Sequence, residues 1–322
     1  MKFRMNTAWI AKCLMKRWET FPTSPEVSVG ELNEVFHHCI FLNGSKTERE
    51  AIMLKSSTSK YESELEYPWD HYFGIDLSPF LQGKMALDLG CFTGGRSVAW
   101  FERYSLDYIV GIDINQIYIG AAAQFAAMKK IRGDFKVARG ELLPFEDETM
   151  DAILSFDVFE HVQDVERNLN ECYRVLKTGG KLFVVFPSYF HPIEHHLSLV
   201  TKLPCIHYFF NGETLIKSYY EVLKERGGDA YWYKRHSPYL ESWEKGNTIN
   251  GITLAQFSKF LKKSNWKILL HSRKPIGSIG RNASKKKVFR LMSHLFYPLT
   301  FIPALQEIFI HRVTYILEKG DL

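Results

Sequence analysis

Two aspartates lie at the ends of neighbouring apolar runs in the middle of the chain. Asp88 belongs to the run MALDL, and Asp113 ends the run YIVGID 25 residues later. A turn that contains Gly90 and Gly94 and a stretch of helical character separate the two runs. In a strand–turn–helix–strand unit, the carboxyl ends of both strands meet at one edge of a parallel sheet, where nucleotide-type ligands bind. The pattern therefore predicts a site for an adenosine-containing cofactor.

The residue types in this unit fit S-adenosylmethionine better than NAD. Asp113 can accept hydrogen bonds from both ribose hydroxyls, and Asp88 can accept from the ammonium group. Free N–H groups of the turn, near the positive end of the following helix, suit the carboxylate. Gly90 and Gly94 allow the backbone and the ligand to approach closely. Since their spacing does not match the G-x-G-x-x-G of an NAD site, a nicotinamide-dependent oxidoreductase is the less favoured alternative.

Further motifs follow in order along the chain: ELLPF at 141–145, MDAILSFDVFEH at 150–161 and RVLKTGG at 174–180. With them, the stretch from about 84 to 187 resembles the class I S-adenosylmethionine-dependent methyltransferases, especially the group that includes quinone-ring and small-molecule methylating enzymes. The resemblance implies an enzyme with an α/β fold, built on a doubly wound, Rossmann-like sheet of seven strands whose last strand is antiparallel.

Carried over position by position, the resemblance also implies a set of cofactor-binding residues. They are Asp88, Gly90, Phe92, Gly94, Asp113, Ile114, Glu141, Leu142, Phe156 and Asp157. Ile114, Glu141 and Leu142 would lie near the adenine, and Phe156 and Asp157 beneath the cofactor. Two positions depart from the family pattern. Phe92 stands where a third glycine is common, and Arg139 stands near where an acid commonly meets the adenine amino group. These departures leave a non-catalytic, cofactor-binding scaffold as the alternative to an enzyme.

Histidines supply candidates for a general base. A hydroxyl acceptor needs a base near neutral pH, and histidine is the common choice. His161 follows the predicted fourth strand, and His191, His195 and His196 follow the fifth. The alternatives are a structural role at a helix start for His161 and packing roles for His195 and His196. The Glu194-His195-His196 cluster could suggest a metal site. Metal-dependent members of the family use carboxylate and amide oxygens, which this cluster supplies poorly, so no metal is expected.

The periodicity divides the chain into four parts: a helical N-terminal extension at 1–80, the cofactor-binding core at 81–187, an inserted substrate cap at 188–250, and a C-terminal part of the core at 251–322. Strands are predicted at 85–89, 108–113, 135–138, 152–156, 181–186, 266–271 and 312–317. Helices are predicted at 117–130, 164–176 and 253–264, the second ending at the Lys-Thr-Gly-Gly stop.

The cap and a second insertion at 275–310 give indications of the methyl acceptor and of where the protein is located in the cell. The cap is rich in aromatic residues, which suit a small molecule or a glycan- or lipid-linked acceptor, although a small core of the cap itself explains them too. Residues 285–305 combine basic and apolar residues, which indicates either peripheral membrane contact or a packed subunit or domain contact. The net charge of +5 gives no argument for nucleic acid. Five cysteines without a CxxC pair favour a reducing, cytoplasmic location.

Overall fold

The computed structural model describes residues 8–18, 46–197, 200–225, 243, 249–279 and 287–320. Within these ranges the chain forms two compact units, one from residues 1–52 and 188–252 and the other from residues 53–187 and 253–322. None of the helices in the described ranges has the length and apolar character needed to cross a bilayer.

A seven-stranded sheet organises the larger unit. Its strands are β1 (Met85–Leu89), β2 (Tyr108–Asp113), β3 (Gly133–Val137), β4 (Met150–Phe156), β5 (Leu176–Phe186), β6 (Trp266–Ser272) and β7 (Val313–Lys319). The order across the sheet is β3-β2-β1-β4-β5-β7-β6. The first five strands are parallel, and β7 runs antiparallel to both β5 and β6. The α/β class, the seven strands and the antiparallel last strand are therefore confirmed.

Helices connect and cover the strands. The larger unit contains α2 (Lys46–Glu66, shared at its start with the smaller unit), α3 (Asp70–Phe73), α4 (Ser78–Leu81), α5 (Gly95–Arg103), α6 (Gln116–Lys129), α7 (Val165–Val175), α10 (Leu254–Lys262), α11 (Lys287–Phe296) and α12 (Gln306–Phe309), with a 3₁₀ turn at Tyr297–Phe301. The helices α6, α7 and α10 begin within one residue of the predicted starts. Side chains fix those starts, because Asn115, Asp164 and Thr253 each accept a hydrogen bond from a backbone N–H of the first turn.

The predicted glycine stop at 177–180 is wrong in its details. The helix α7 already ends at Val175, and β5 begins at Leu176, which pairs with Met150. The next pair joins Ala152 to Lys181, so the residues between form a bulge in the strand. Gly179 has φ +76°, a value that glycine adopts at low cost. The Lys-Thr-Gly-Gly sequence therefore bends a strand instead of ending a helix.

Aromatic residues that precede the sheet pack onto it. Trp69 lies against Trp100 with ring centroids 4.4 Å apart, and Phe73 contacts Phe183 of β5. Leu77 and Leu81 belong to the same buried cluster. Burying side chains of this size stabilises a fold by about 1.5–3 kcal/mol each. This layer holds residues 69–81 against β1, β4 and β5.

The smaller unit has its own apolar core. Its described helices are α1 (Ala8–Arg17), α8 (Ile206–Phe209) and α9 (Gly212–Glu225). Phe210, Tyr219 and Trp243 are buried in that core. These three aromatic residues of the predicted cap therefore pack within the smaller unit's own core. Other aromatic residues of the predicted cap, at 231–233 and 239, lie outside the described residues.

Candidate functional site

Asp113 anchors the turn that follows β1. Its Oδ2 accepts a hydrogen bond from the Phe92 N–H at 3.2 Å, and its Oδ1 accepts from the Asn115 N–H at 2.9 Å. The carboxylate is therefore held in one orientation by two segments of backbone, while the residue stays partly exposed. A carboxylate held in this way at the end of β2 is suited to accept hydrogen bonds from a diol.

Phe92 occupies a backbone conformation that favours glycine. Its φ is +52°, in the left-handed region where side chains crowd the backbone. This conformation gives a physical reason for the glycine that is common at this position. The ring packs against Tyr118 of α6, with ring centroids 4.4 Å apart. The contact holds the aromatic side chain on the helix surface.

Most amides of the turn are already engaged. The N–H groups of Gly90 and Cys91 both donate to the Ile112 carbonyl, at 2.9 and 2.8 Å, and the Phe92 N–H binds Asp113. These groups are therefore not free to bind a carboxylate, contrary to the expectation from the sequence. The first turn of α5 remains for that role, because its N-cap, Gly94, provides no side-chain cap.

The two glycines of the turn are also required by the packing around them. Gly90 and Gly94 have φ +76° and +73°. A Cβ on Gly90 would lie 2.4 Å from Val158, and one on Gly94 would lie 2.6 Å from the Cβ of Ala122. Protein atoms thus fill the space beside each glycine.

Asp88 is buried at the end of β1, with 3% of its surface exposed. One of its oxygens accepts a hydrogen bond from the Ser97 hydroxyl at 2.5 Å. Burial is the main reason that the pKa of Asp88 is raised to about 7, and the nearby carboxylates of Asp113 and Glu64 add to it against the opposing effects of Ser97 and Arg96. An ammonium group beside Asp88 would favour its ionised form.

The residues predicted to lie near the adenine form an exposed rim. Ile114 exposes 64% of its surface and Leu142 exposes 67%, so two large apolar side chains border the carboxyl edge of the sheet. Glu141 is held differently, because its Oε1 accepts the Gln163 N–H at 2.7 Å at the approach to α7. Arg139 donates to the Gln163 side chain at 3.1 Å. Both residues 139 and 141 therefore contact the segment before α7.

Cations surround the end of β4. Phe156 is buried, and the Arg96 guanidinium lies over its ring, with Cζ 3.8 Å from the centroid. Arg312, which directly precedes β7, lies 5.8 Å from the same centroid and forms an ion pair with Asp157. The antiparallel direction of β7 brings Arg312 to the carboxyl edge of the parallel strands. Sequence reasoning identified Phe156 and Asp157 but missed both arginines.

The helix α2 adds two further charged residues that the sequence did not indicate. Glu64 is buried, its Oε2 lies 3.3 Å from Nε of Arg96, and its Oε1 accepts the Trp69 N–H at 2.8 Å. Burial and the nearby Arg96 cation lower the pKa of Lys60 to about 8. The helix lies so close to α5 that a Cβ on Gly95 would lie 1.9 Å from the Ser57 carbonyl oxygen. Only glycine at position 95 allows this approach.

His161 lies in the same unit, just after β4. Its Nε2 is 3.6 Å from Oε1 of the buried Glu160. About a third of the side chain, 34%, is exposed. A carboxylate at this distance stabilises a protonated imidazole, which is the state that a general base reaches after taking up a proton.

The other histidines belong to the smaller unit. Nδ1 of His195 accepts the Leu197 N–H at 3.1 Å, so Nε2 carries the proton and donates to the Leu203 carbonyl at 3.0 Å. Burial lowers the pKa of His195. Nδ1 of His191 accepts two backbone N–H groups. These bonds favour the packing interpretation for His195, while His196 is partly exposed with φ +59°.

Four of the five cysteines lie in the part of the chain that the structure describes. Cys13, Cys91, Cys172 and Cys205 are all free thiols. Cys91 lies within the turn, where burial raises the pKa of its thiol well above the usual value. A buried thiol of this kind is a small apolar filler and not a nucleophile.

Comparison with known proteins identifies the segment that carries this site. Residues 87–184 match a family model described as a methyltransferase domain. The chain is 32% identical over 110 residues to a phosphoethanolamine N-methyltransferase of Triticum aestivum, a match that covers 34% of this chain and 22% of that protein. It is 34% identical over 104 residues to a ubiquinone biosynthesis O-methyltransferase of Sinorhizobium medicae strain WSM419, covering 32% and 41%. The matches thus span less than half of these relatives.

A solved structure of a geranyl diphosphate methyltransferase in complex with S-adenosylmethionine is also similar. The identity is 15%, the TM-score is 0.46, and the match covers 88% of this chain and 95% of that chain. The sequence matches, and not this structural likeness, confirm the family resemblance of the segment that contains Asp88, Asp113 and Phe156.

Proposed function

We propose that this chain, whose residues 87–184 belong to the class I S-adenosylmethionine-dependent methyltransferase family, transfers the methyl group of S-adenosylmethionine to a small-molecule acceptor. The observation that carries the proposal is the pair of carboxylates on adjacent strands. Asp88 and Asp113 both lie at the carboxyl edge, and the turn between the strands is bonded to Asp113.

The residues present fit the cofactor. Asp113 has a fixed carboxylate that can accept from both ribose hydroxyls, and the exposed side chains of Ile114 and Leu142 offer apolar surface for an adenine. Asp88 supplies a buried carboxylate for the ammonium group. The first turn of α5 offers N–H groups for the carboxylate. S-adenosylmethionine, when bound, supplies a methyl group on a sulfonium that is already activated as a leaving group.

The order of the sheet favours one side of this site for the acceptor. Asp113 ends β2, and β1 separates β2 from β4. A ligand with its ribose at Asp113 and its amino-acid end at Asp88 would therefore extend along the edge towards β4. We infer that the acceptor binds near Phe156, Asp157 and His161, at the end of β4 and in the following loop. Positioning the reacting atoms is the main contribution that a protein makes to a displacement of this kind.

We assign His161 as the base for an oxygen acceptor. Glu160 lies close enough to stabilise the imidazolium that results when His161 takes the proton of a hydroxyl. His195 is a weaker candidate, since both its ring nitrogens bind backbone groups. His196 stays a prediction. That the cap's aromatic residues bind a small, glycan-linked or lipid-linked acceptor stays a prediction, as does the cytoplasmic location expected from the cysteines.

The relatives support a small acceptor in general terms. One is named for the N-methylation of phosphoethanolamine and the other for an O-methylation in ubiquinone biosynthesis. Because the two names differ in the methylated atom, the acceptor of this chain has to be found by experiment.

Calorimetric titration with S-adenosylmethionine, with NAD as the comparison ligand, tests the cofactor. We expect binding of S-adenosylmethionine alone, and its loss in Asp113→Ala. The matched control is Asp134→Ala, which removes an exposed acid from the neighbouring β3 and should bind normally. Unchanged binding in Asp113→Ala would refute the assigned site.

Turnover is tested with a panel of phenols and sugars, with S-adenosylhomocysteine as the measured product. We expect His161→Gln to bind the cofactor normally and to lose most of its turnover of a hydroxyl acceptor, about a hundredfold or more. Cofactor binding without any methylated acceptor would instead support the non-catalytic scaffold.

A further inference from the structure

One long segment of the chain contains no acidic residue. Residues 245–306 include 12 Lys or Arg and no Asp or Glu. The rest of the chain has 29 basic and 36 acidic residues. The net charge of +5 is therefore unevenly distributed along the sequence: residues 245–306 are strongly basic, and the rest of the chain is net acidic.

The helix α11 lies inside this basic segment and exposes an apolar face. Val288, Leu291, Met292 and Leu295 expose 59%, 71%, 37% and 69% of their surfaces. Their spacing of three and four residues places them on one side of a helix. Such a stripe is normally buried against the core, but here it faces outwards.

An adjoining side of α11 makes the contacts with the protein. Phe296 packs against Phe309 with ring centroids 4.9 Å apart, and Ser293 is buried. A Cβ on Gly277 would lie 3.0 Å from the carbonyl oxygen of Phe289. Because this side already anchors the helix, the outward apolar stripe is not needed to hold α11 in place.

Three further exposed apolar side chains follow the helix in sequence. Tyr297, Phe301 and Ile302 expose 51%, 49% and 44% of their surfaces. Together with Val288, Leu291, Met292 and Leu295 they form what we term the apolar face. Exposed aliphatic and aromatic side chains grouped in this way mark an interaction surface.

The charged residues of α11 lie beside the apolar face and not within it. At about 100° per residue, the four helical members fall within a sector of about 100°, while Lys287 and Arg290 lie to one side of that sector. Both basic residues are exposed. An apolar stripe bordered by cations is the pattern of a helix that lies in the interface of an anionic membrane.

We propose that the apolar face docks on an anionic lipid bilayer, with Leu291 and Leu295 inserted among the acyl chains and Lys287 and Arg290 against the headgroups. The absence of acidic residues from 245 to 306 favours a negatively charged surface over a neutral one. Exposed leucines and aromatic rings favour lipid over nucleic acid, which is bound mainly through phosphate contacts. The surface is independent of the proposed methyl transfer.

Vesicle co-sedimentation without any cofactor tests the proposal. The probes are phosphatidylcholine vesicles with and without phosphatidylglycerol. We expect binding to the vesicles that contain phosphatidylglycerol, weakened by added salt. Leu291→Gln with Leu295→Gln should weaken binding by about tenfold or more per leucine. Lys287→Glu should weaken it by at least about fivefold.

The matched control is Leu65→Gln with Met128→Gln, which replaces two exposed apolar side chains on α2 and α6. This variant should bind vesicles like the unmodified protein. Circular dichroism of each variant checks that the fold is intact, which we expect because the replaced side chains are exposed. Since the assay needs no methyl transfer, its result is separate from that of the proposed function.

Three results would overturn the proposal. The first is no binding to either kind of vesicle, and the second is equal binding by the leucine variant and the control. The third is self-association in solution that the leucine substitutions abolish, in the absence of vesicle binding. That last result would assign the face to a second copy of the chain.

Discussion

Replacing Asp88 by asparagine should stabilise the fold at neutral and higher pH while weakening cofactor binding. The side chain is buried and its pKa is raised to about 7, chiefly by burial, against about 3.9 for an unperturbed aspartate. Because the shift is upwards, the ionised form is disfavoured in the folded protein. Three pKa units at about 1.4 kcal/mol each correspond to a cost on the order of 4 kcal/mol for holding Asp88 ionised.

The contribution of Asp88 to the stability of the fold decreases as the pH rises. An unfolded aspartate loses its proton near pH 4, whereas Asp88 in the folded state keeps it until about pH 7. The contribution of this group to stability is therefore fully present below about pH 4 and is lost as the pH rises to about 7. Asparagine carries no charge and can still accept the hydrogen bond from Ser97, so Asp88→Asn should avoid that loss.

Urea unfolding across this pH range is the assay. We expect the variant and the unmodified protein to be similar at about pH 4, and the variant to be more stable by up to about 4 kcal/mol near pH 8. Asp134→Asn, at an exposed acid of β3, serves as the control and should follow the unmodified protein. A constant difference at all pH values, or a less stable variant at pH 8, would refute the reasoning. Titration with S-adenosylmethionine should show weaker binding to Asp88→Asn, because the ammonium group loses its carboxylate.

Three further predictions concern the turn, the carboxyl edge and the smaller unit. Gly94→Ala should destabilise the protein by about 2 kcal/mol or more, because the position has positive φ and the added Cβ would meet Ala122. The control is Gly120→Ala, where nothing lies within 4 Å of the added Cβ; it should stabilise the protein by up to about 1 kcal/mol. Urea unfolding measures the free energy of unfolding of both variants. Arg312→Met should cost about 1 kcal/mol in the same assay by removing the cation from Asp157, whose side chain is 37% exposed, and adding Asp157→Asn should recover part of the loss; no recovery would contradict the ion-pair explanation. Burial lowers the pKa of His195, so its neutral form is favoured in the folded protein and stability should fall as the pH drops below about 6.5. Thermal unfolding should show that His195→Asn loses less stability at acid pH than the unmodified protein. An equal loss in both proteins would contradict this effect of His195.

The strands and the two acids could be predicted from sequence because their signals are local. A strand buried on both faces is almost continuously apolar, and β1, β2 and β4 each stand out as such a run. The positions of Asp88 and Asp113 then follow from where the runs end. The capping side chains Asp164 and Thr253 likewise mark helix starts within a few residues of sequence.

The charged cluster at the end of β4 could not be predicted in the same way. Lys60 and Glu64 reach it only because α2 packs against α5, and the tight approach at Gly95 is a tertiary contact. Arg312 is different, because its position had a usable signal. Arg312 is the first residue of the predicted last strand. A residue at the start of an antiparallel last strand lies at the carboxyl edge of its parallel neighbours, so the predicted topology already indicated this position.

The turn amides show why residue types alone were not enough to describe the cofactor site. A glycine-rich turn suggests free N–H donors. Here, however, the N–H groups of Gly90 and Cys91 both donate to the Ile112 carbonyl, and the Phe92 N–H donates to the Asp113 carboxylate. These bonds make the turn rigid and fix the orientation of the Asp113 carboxylate. In the proposed site, the turn would position an acceptor for hydroxyl groups, and the positive end of α5 would be left to meet a negative group. A preformed arrangement of this kind lowers the ordering cost of binding, which is a consistent reason for keeping Phe92 in a conformation that favours glycine.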